Sequence, residues 1–113
     1  MPPRLTTGVQ IGALLRLAQQ QGDFGTIVRK GDAVSGAILL VGQVRGKNPK
    51  IYERFPLAGG DTKWQNLAIQ TADDNRILQN YLDKRTAQDP DLWIVELDTA
   101  DEQRLTGLIQ SIA

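Results

Sequence analysis

Asp89-Pro90-Asp91-Leu92-Trp93-Ile94-Val95-Glu96-Leu97 is the stretch from which the architecture can be read. Two aspartates around a proline are turn chemistry, because short carboxylates bond nearby backbone N–H groups and proline fixes φ. The block that follows is aromatic and β-branched, with Trp93, Val95 and Leu97 on one parity and Leu92 and Ile94 on the other. A strand apolar on both faces belongs inside a sheet that is covered on both sides. Helical patterns flank it, one ending near Gln88 and one starting near Thr99.

Working outward toward the N-terminus, Ile77, Leu78, Tyr81, Leu82 and Arg85 recur at helical spacing after an N-cap signal at Thr71-Ala72-Asp73-Asp74. Before that helix, residues 62–70 carry Trp64, Leu67 and Ile69 at low apolar density and read as a strand at a sheet edge. Residues 50–55 alternate, Ile51, Glu53 and Phe55 against Tyr52 and Arg54, as a strand with one wet face does. Pro56 ends it, and Gly59-Gly60-Asp61 makes the turn. Residues 35–44 contain Ala37-Ile38-Leu39-Leu40-Val41, again apolar on both parities, with Gly36 and Gly42 marking bulges or close backbone approaches. Arg45-Gly46-Lys47-Asn48-Pro49 is a polar turn. Residues 24–30 form a short strand around Ile27 and Val28, and Gly31-Asp32 predicts a hairpin into the strand at 35–44.

The first helix runs from Thr6 or Thr7 to about Gln21, with Ile11, Leu14, Leu15 and Ala18 as its apolar stripe and Gly22 as its left-handed cap. Residues 1–5, with two prolines, read as a flexible tail. At the other end Thr99-Ala100-Asp101-Glu102 reads as a capping box for a helix with Leu105, Leu108, Ile109 and Ile112 as its stripe. The order is α-β-β-β-β-α-β-α, a single α+β domain over residues 1–113 with a mostly antiparallel sheet. The doubly apolar strand at 92–97 lies interior, beside its counterpart at 35–44.

Composition narrows the chemistry. The chain has 113 residues, no Cys and no His, so thiolate chemistry, disulfides and the commonest general base are missing. No metal-binding or cofactor motif is present, and no catalytic residue is assigned. Lys plus Arg and Asp plus Glu number 13 each, which gives no bulk positive field for nucleic acid or anionic lipid. No apolar run approaches the roughly 20 residues of a membrane span, and no signal peptide opens the chain, so the reading is cytoplasmic.

Several segments together resemble a bacterial domain family of unknown function, the one numbered fourteen-ninety-one. They are Ala13-Leu14-Leu15-Arg16, Val28-Arg29-Lys30-Gly31-Asp32 running into Gly36-Ala37-Ile38-Leu39, Trp64, Tyr81 with Arg85, and above all Asp89 through Glu96. The chain departs from that pattern in having Val9-Gln10-Ile11 where a Trp is common, and Leu17 where a second Arg commonly follows Arg16. The resemblance implies a small cytoplasmic bacterial protein and carries over no catalytic residue or ligand.

Three groups of residues are candidates for function. Arg29, Asp32, Arg85 and Asp89 would bind an anion or small molecule, with weak metal-dependent hydrolysis at most, if they converge in one pocket. The plainer alternative is that Asp89 and Asp91 are turn formers and Arg85 pairs with Asp89 one helical turn on. Lys63 and Trp64 are candidates for a partner contact on the edge strand, where self-association is expected. Arg29, Lys30, Arg45 and Lys47 would have to form one stripe for nucleic-acid binding, which the charge balance disfavours. A metal-dependent nuclease of the restriction type would need Glu-x-Lys where this chain has Glu53-Arg54-Phe55. The leading expectation is a non-enzymatic binding or accessory domain acting through protein contacts.

Overall fold

The computed structural model describes residues 5–56, 62–67 and 75–112. Its elements are α1 (Thr7–Gln20), β1 (Phe24–Arg29), β2 (Ile38–Val44), β3 (Lys47–Pro56), β4 (Thr62–Leu67), α2 (Asn75–Gln88), β5 (Trp93–Thr99) and α3 (Glu102–Gln110). The expected N-cap at 71–74, the turn at Gly59-Gly60-Asp61, the outer part of the 62–70 strand and the tail at 1–4 lie outside the described residues.

One mixed sheet of five strands runs in the order β1-β5-β2-β3-β4. β5 is parallel to β2 and antiparallel to β1, and β2, β3 and β4 pair antiparallel in sequence. The Asp-Pro-Asp stretch therefore leads into an interior strand: Leu92, Trp93, Ile94, Val95 and Leu97 are all buried. On one face Trp93, Val95 and Leu97 join Ile38 and Leu40 under Ile11, Leu14 and Ala18 of α1 and Leu105, Leu108 and Ile109 of α3. On the other, Leu92 and Ile94 pack with Leu39, Val41, Ile51 and Leu82 of α2. Burial of these side chains contributes roughly 1.5–3 kcal/mol each and drives the layering.

Three expectations need correction. The hairpin from β1 into β2 does not form: the two strands run antiparallel, but β5 lies between them and takes β1's ladder. The connection at 30–37 is long enough to arch over the start of β5, where Asp32 N–H bonds Asp91 O and Trp93 N–H bonds Ala37 O. Gly31 and Gly36 permit that arch, since a Cβ on either would drive into the Asp91 carbonyl. Second, α3 is capped by Asp101 rather than Thr99: Asp101 Oδ1 accepts from Arg104 N–H at 2.8 Å, while Thr99 is still in β5. Third, the face of β3 that carries Tyr52 and Arg54 is covered at those two residues rather than wet. Tyr52 packs against the α1/α3 cluster and Arg54 Nη1 bonds Gln10 Oε1 and Ile112 O.

The turn between β2 and β3 is tight. Arg45 and Gly46 both take positive φ (51° and 70°) between the paired residues Val44 and Lys47, as a two-residue primed hairpin requires.

Candidate functional site

The register places the candidates. Arg29 pairs with Ile94, Ile94 with Leu39, Leu39 with Glu53, and Glu53 with Gln65, so these five form one row across the α2 face. With strands about 4.8 Å apart, Arg29 and Glu53 stand about 14 Å apart at the backbone, with two apolar side chains between them.

Arg29, Asp32 and Asp89 are all tied to the start of β5. Arg29 Nη1 donates to Leu92 O at 2.6 Å. Asp32 Oδ2 accepts from Val34 N–H, Ser35 N–H and the Ser35 hydroxyl, and its carbonyl takes the Trp93 indole N–H at 2.7 Å. The Ser35 N–H, ahead of the other turn donors, holds the Asp32 carboxyl below its ordinary value. Asp89 Oδ1 accepts from Asp91 N–H, an Asx turn.

Arg85 looks elsewhere. Its Nε donates to Glu53 Oε1 at 2.7 Å while Tyr81 Oη donates to Glu53 Oε2 at 2.9 Å. Both acceptor atoms of the carboxylate are used, and the Arg85 and Glu53 side chains are only 24% and 12% exposed. The bond to Glu53 raises the Arg85 pKa, and burial followed by the same carboxylate pushes the Tyr81 phenol up to about 12. This Tyr81–Glu53–Arg85 latch fastens α2 to β3. Arg85 and Tyr81 share a helix face four residues apart, and Glu53 shares parity with buried Ile51, which is the signal by which the partner was readable. The local spacing of Arg85 to Asp89 hid it.

The four cations of the nucleic-acid reading separate into two pairs. Arg29 and Lys30 end β1 at the start of β5, whereas Arg45 and Lys47 sit where Val44 pairs with the last residue of β5. Five residues of strand, about 16 Å, lie between the two ends. Among the described residues no group of three or more His, Cys, Asp or Glu side chains is placed to hold a metal ion, and no helix is long and apolar enough to cross a membrane.

The sheet's two edges differ sharply. On β4, Lys63 is exposed but Trp64 is half-buried, its indole N–H donating to Ile112 O at 3.2 Å and its ring lying 5.2 Å from the Arg54 guanidinium carbon. On β1, Phe24 is 73%, Ile27 42% and Val28 54% exposed, and no described strand pairs with its outer side. Phe24, Thr26 and Arg29 stand with Asp98, Glu96 and Ile94 on the α2 face, and Gly25 and Ile27 with Leu97 and Val95 on the other. Val28 is the extra residue of a bulge. Sequence reasoning missed this edge because a hairpin with β2 would have covered it.

An α+β domain with one mixed five-stranded sheet and helices on both faces defines the class. Within it, the chain belongs to the family described as "Protein of unknown function (DUF1491)", whose model matches residues 5–107. The crystal structure of a DUF1491 family protein from Caulobacter crescentus CB15 is similar, at 28% identity and a TM-score of 0.76, covering 87% of this chain and 91% of that one. An NMR structure of a DUF1491 family protein from the same organism matches at 29% identity and a TM-score of 0.74, over 88% and 90% of the two chains. The solution structure of a protein from A. tumefaciens shares the fold at 22% identity and a TM-score of 0.70, over 91% and 92%. No curated protein matches.

Proposed function

We propose that this protein is a non-enzymatic binding or accessory domain of the bacterial cytoplasm that acts through protein contacts, made at β1. The observation that carries this reading is the apolar β1 edge, which has no strand partner among the described residues. Monomeric sheets protect an edge with lysine, proline, a bulge or a covering element. The six residues of β1 hold neither Lys nor Pro, and their one charge, Arg29, and the bulge at Val28 both fall at the end, leaving Phe24 to Ile27 regular and unguarded. An edge of that kind adds a strand readily, with backbone bonds giving affinity and alternate side chains giving selectivity.

The competing reading, an anion or small-molecule site built from Arg29, Asp32, Arg85 and Asp89, draws on side chains that already hold partners within the chain. No observation favours it independently.

A photo-crosslinking benzoylphenylalanine at position 24, compared with one at exposed Gln79 on α2, tests the proposal in the native cell. Discrete protein adducts from position 24 and none from position 79 are expected; silence at position 24 rejects β1 as a contact edge. Cell fractionation checks the compartment.

A further inference from the structure

We infer that the strand received by β1 is the β1 of a second copy, joined antiparallel about a two-fold axis through Thr26. This names the occupant of the edge and rests on the reading of β1 as the contact surface.

Residues opposite one another in an antiparallel pair share a face of the sheet. Pairing about Thr26, with Val28 set aside as the bulged residue, matches faces throughout: Thr26 meets Thr26, Gly25 meets Ile27, and Phe24 meets Arg29. A centre at Ile27, counted the same way, pairs only Thr26, Ile27 and Arg29 and sets Gly25 against Lys30 beyond the strand, so it forms a shorter ladder. The register centred on Thr26 is also complementary in shape and chemistry. Ile27 of the partner subunit lies beside Gly25, over which the Leu15 and Leu97 side chains already lie and offer apolar surface. A Thr–Thr pair occupies the axis, and a guanidinium lies beside the Phe24 ring on each side of it.

Charge agrees with this orientation. Glu96 and Asp98 pair with Thr26 and Phe24 toward the start of β1; the Asp98 carboxylate accepts from Gly46 N–H, and the Glu96 side chain has no hydrogen bond or ion pair among the described residues. Arg29 and Lys30 end the strand. An antiparallel join sets the basic end of each copy against the acidic end of the other, whereas a parallel join would set like against like. The two Glu96 carboxylates remain three strand spacings apart, about 14 Å, beyond the screening length at physiological salt. The product is a continuous ten-stranded sheet, held by a small interface with a dissociation constant on the order of 1–100 µM.

The chain contains no Cys, so one introduced thiol reports on register. Thr26→Cys places two thiols across the axis within disulfide reach. Mild oxidation should link it rapidly into a dimer, while Lys63→Cys on β4 stays unlinked. Sedimentation velocity on the unaltered chain should show a concentration-dependent dimer, weakened at least about tenfold by Ile27→Lys and by Val28→Lys. Circular dichroism should show both variants folded, as their exposed positions imply. A monomer at every concentration, or linking of Thr26→Cys no faster than that of Lys63→Cys, overturns the inference. The crosslinker at position 24 separates the two claims: adducts only with other proteins sink the homodimer and keep β1 as the contact edge, and no adduct sinks both.

Discussion

β1 and β4 close the same sheet and are finished in opposite ways. β4 exposes Lys63, Gln65 and Asn66, and its one aromatic is bonded to the Ile112 carbonyl just past α3. Beside it, the α2 face of β3 is fastened by Tyr81, Glu53 and Arg85. β1 carries its aromatic outward, and the neighbouring half of β5 on the α2 face shows Glu96 and Asp98 half-exposed. An edge strand becomes safe when its side chains are committed to the protein's own interior, and available when they are not. Both strands contain one aromatic and one cation, and what separates them is the Ile27 and Val28 of β1 against the Gln65 and Asn66 of β4, together with what each aromatic is bonded to.

The comparison can be broken most forcefully from the inside. Gly31→Val or Gly36→Val should cost about 2–4 kcal/mol in chemical denaturation, because the added carbons meet the Asp91 backbone and push the arch, and β1 with it, away from β5. An unchanged midpoint would mean that the inner side of β1 is not seated as described. Next comes a matched pair. Trp64→Ala should lose about 2 kcal/mol of stability, the sum of a half-buried indole bond and lost packing. Phe24→Ala, studied where the chain is monomeric, should lose less than about 0.5 kcal/mol. Equal losses would erase the distinction between the edges.

The smallest effect is a titration of the two tyrosines. Tyr81 ionises at about 12 against an ordinary 10.0, and burial raises Tyr52 as well. A pKa raised on folding stabilises the protonated form, so this contribution to stability is complete below pH 10.0 and is lost as pH climbs toward about 12. In Tyr52→Phe, tyrosinate absorbance should rise in one step near pH 12, and adding Glu53→Gln should move that step down. A midpoint at the ordinary value would show the latch to be open.

Much of this was legible beforehand. Apolar residues on both parities made β5 interior, and Ile11, Leu14 and Ala18 fixed the buried stripe of α1. Asp89 proved to be a turn former, as its place beside Pro90 suggests. Pairing was less accessible. A Gly-Asp turn between two short strands is satisfied equally by a hairpin and by an arch, and only the need of β5 for a partner on each side decides between them. The exposed edge, the feature on which the functional proposal depends, was hidden by that same ambiguity. Glu53 was obscured differently, because Asp89 offered Arg85 a nearer partner in sequence than the one it takes in space.

The placement of β5 also governs how the molecule can come into being. Phe24 finds its ladder partner, Asp98, about 70 positions later in the chain, and β2 waits nearly as long for its second neighbour. A nascent chain emerging from the ribosome therefore cannot complete its sheet until the penultimate element has been synthesised, and assembly of this kind is slow relative to local helix formation. A truncation just before Asp89 would leave β1 alone and β2, β3 and β4 as a three-stranded sheet with nothing to join them, so premature termination should yield aggregate or proteolysed fragments rather than a smaller working domain.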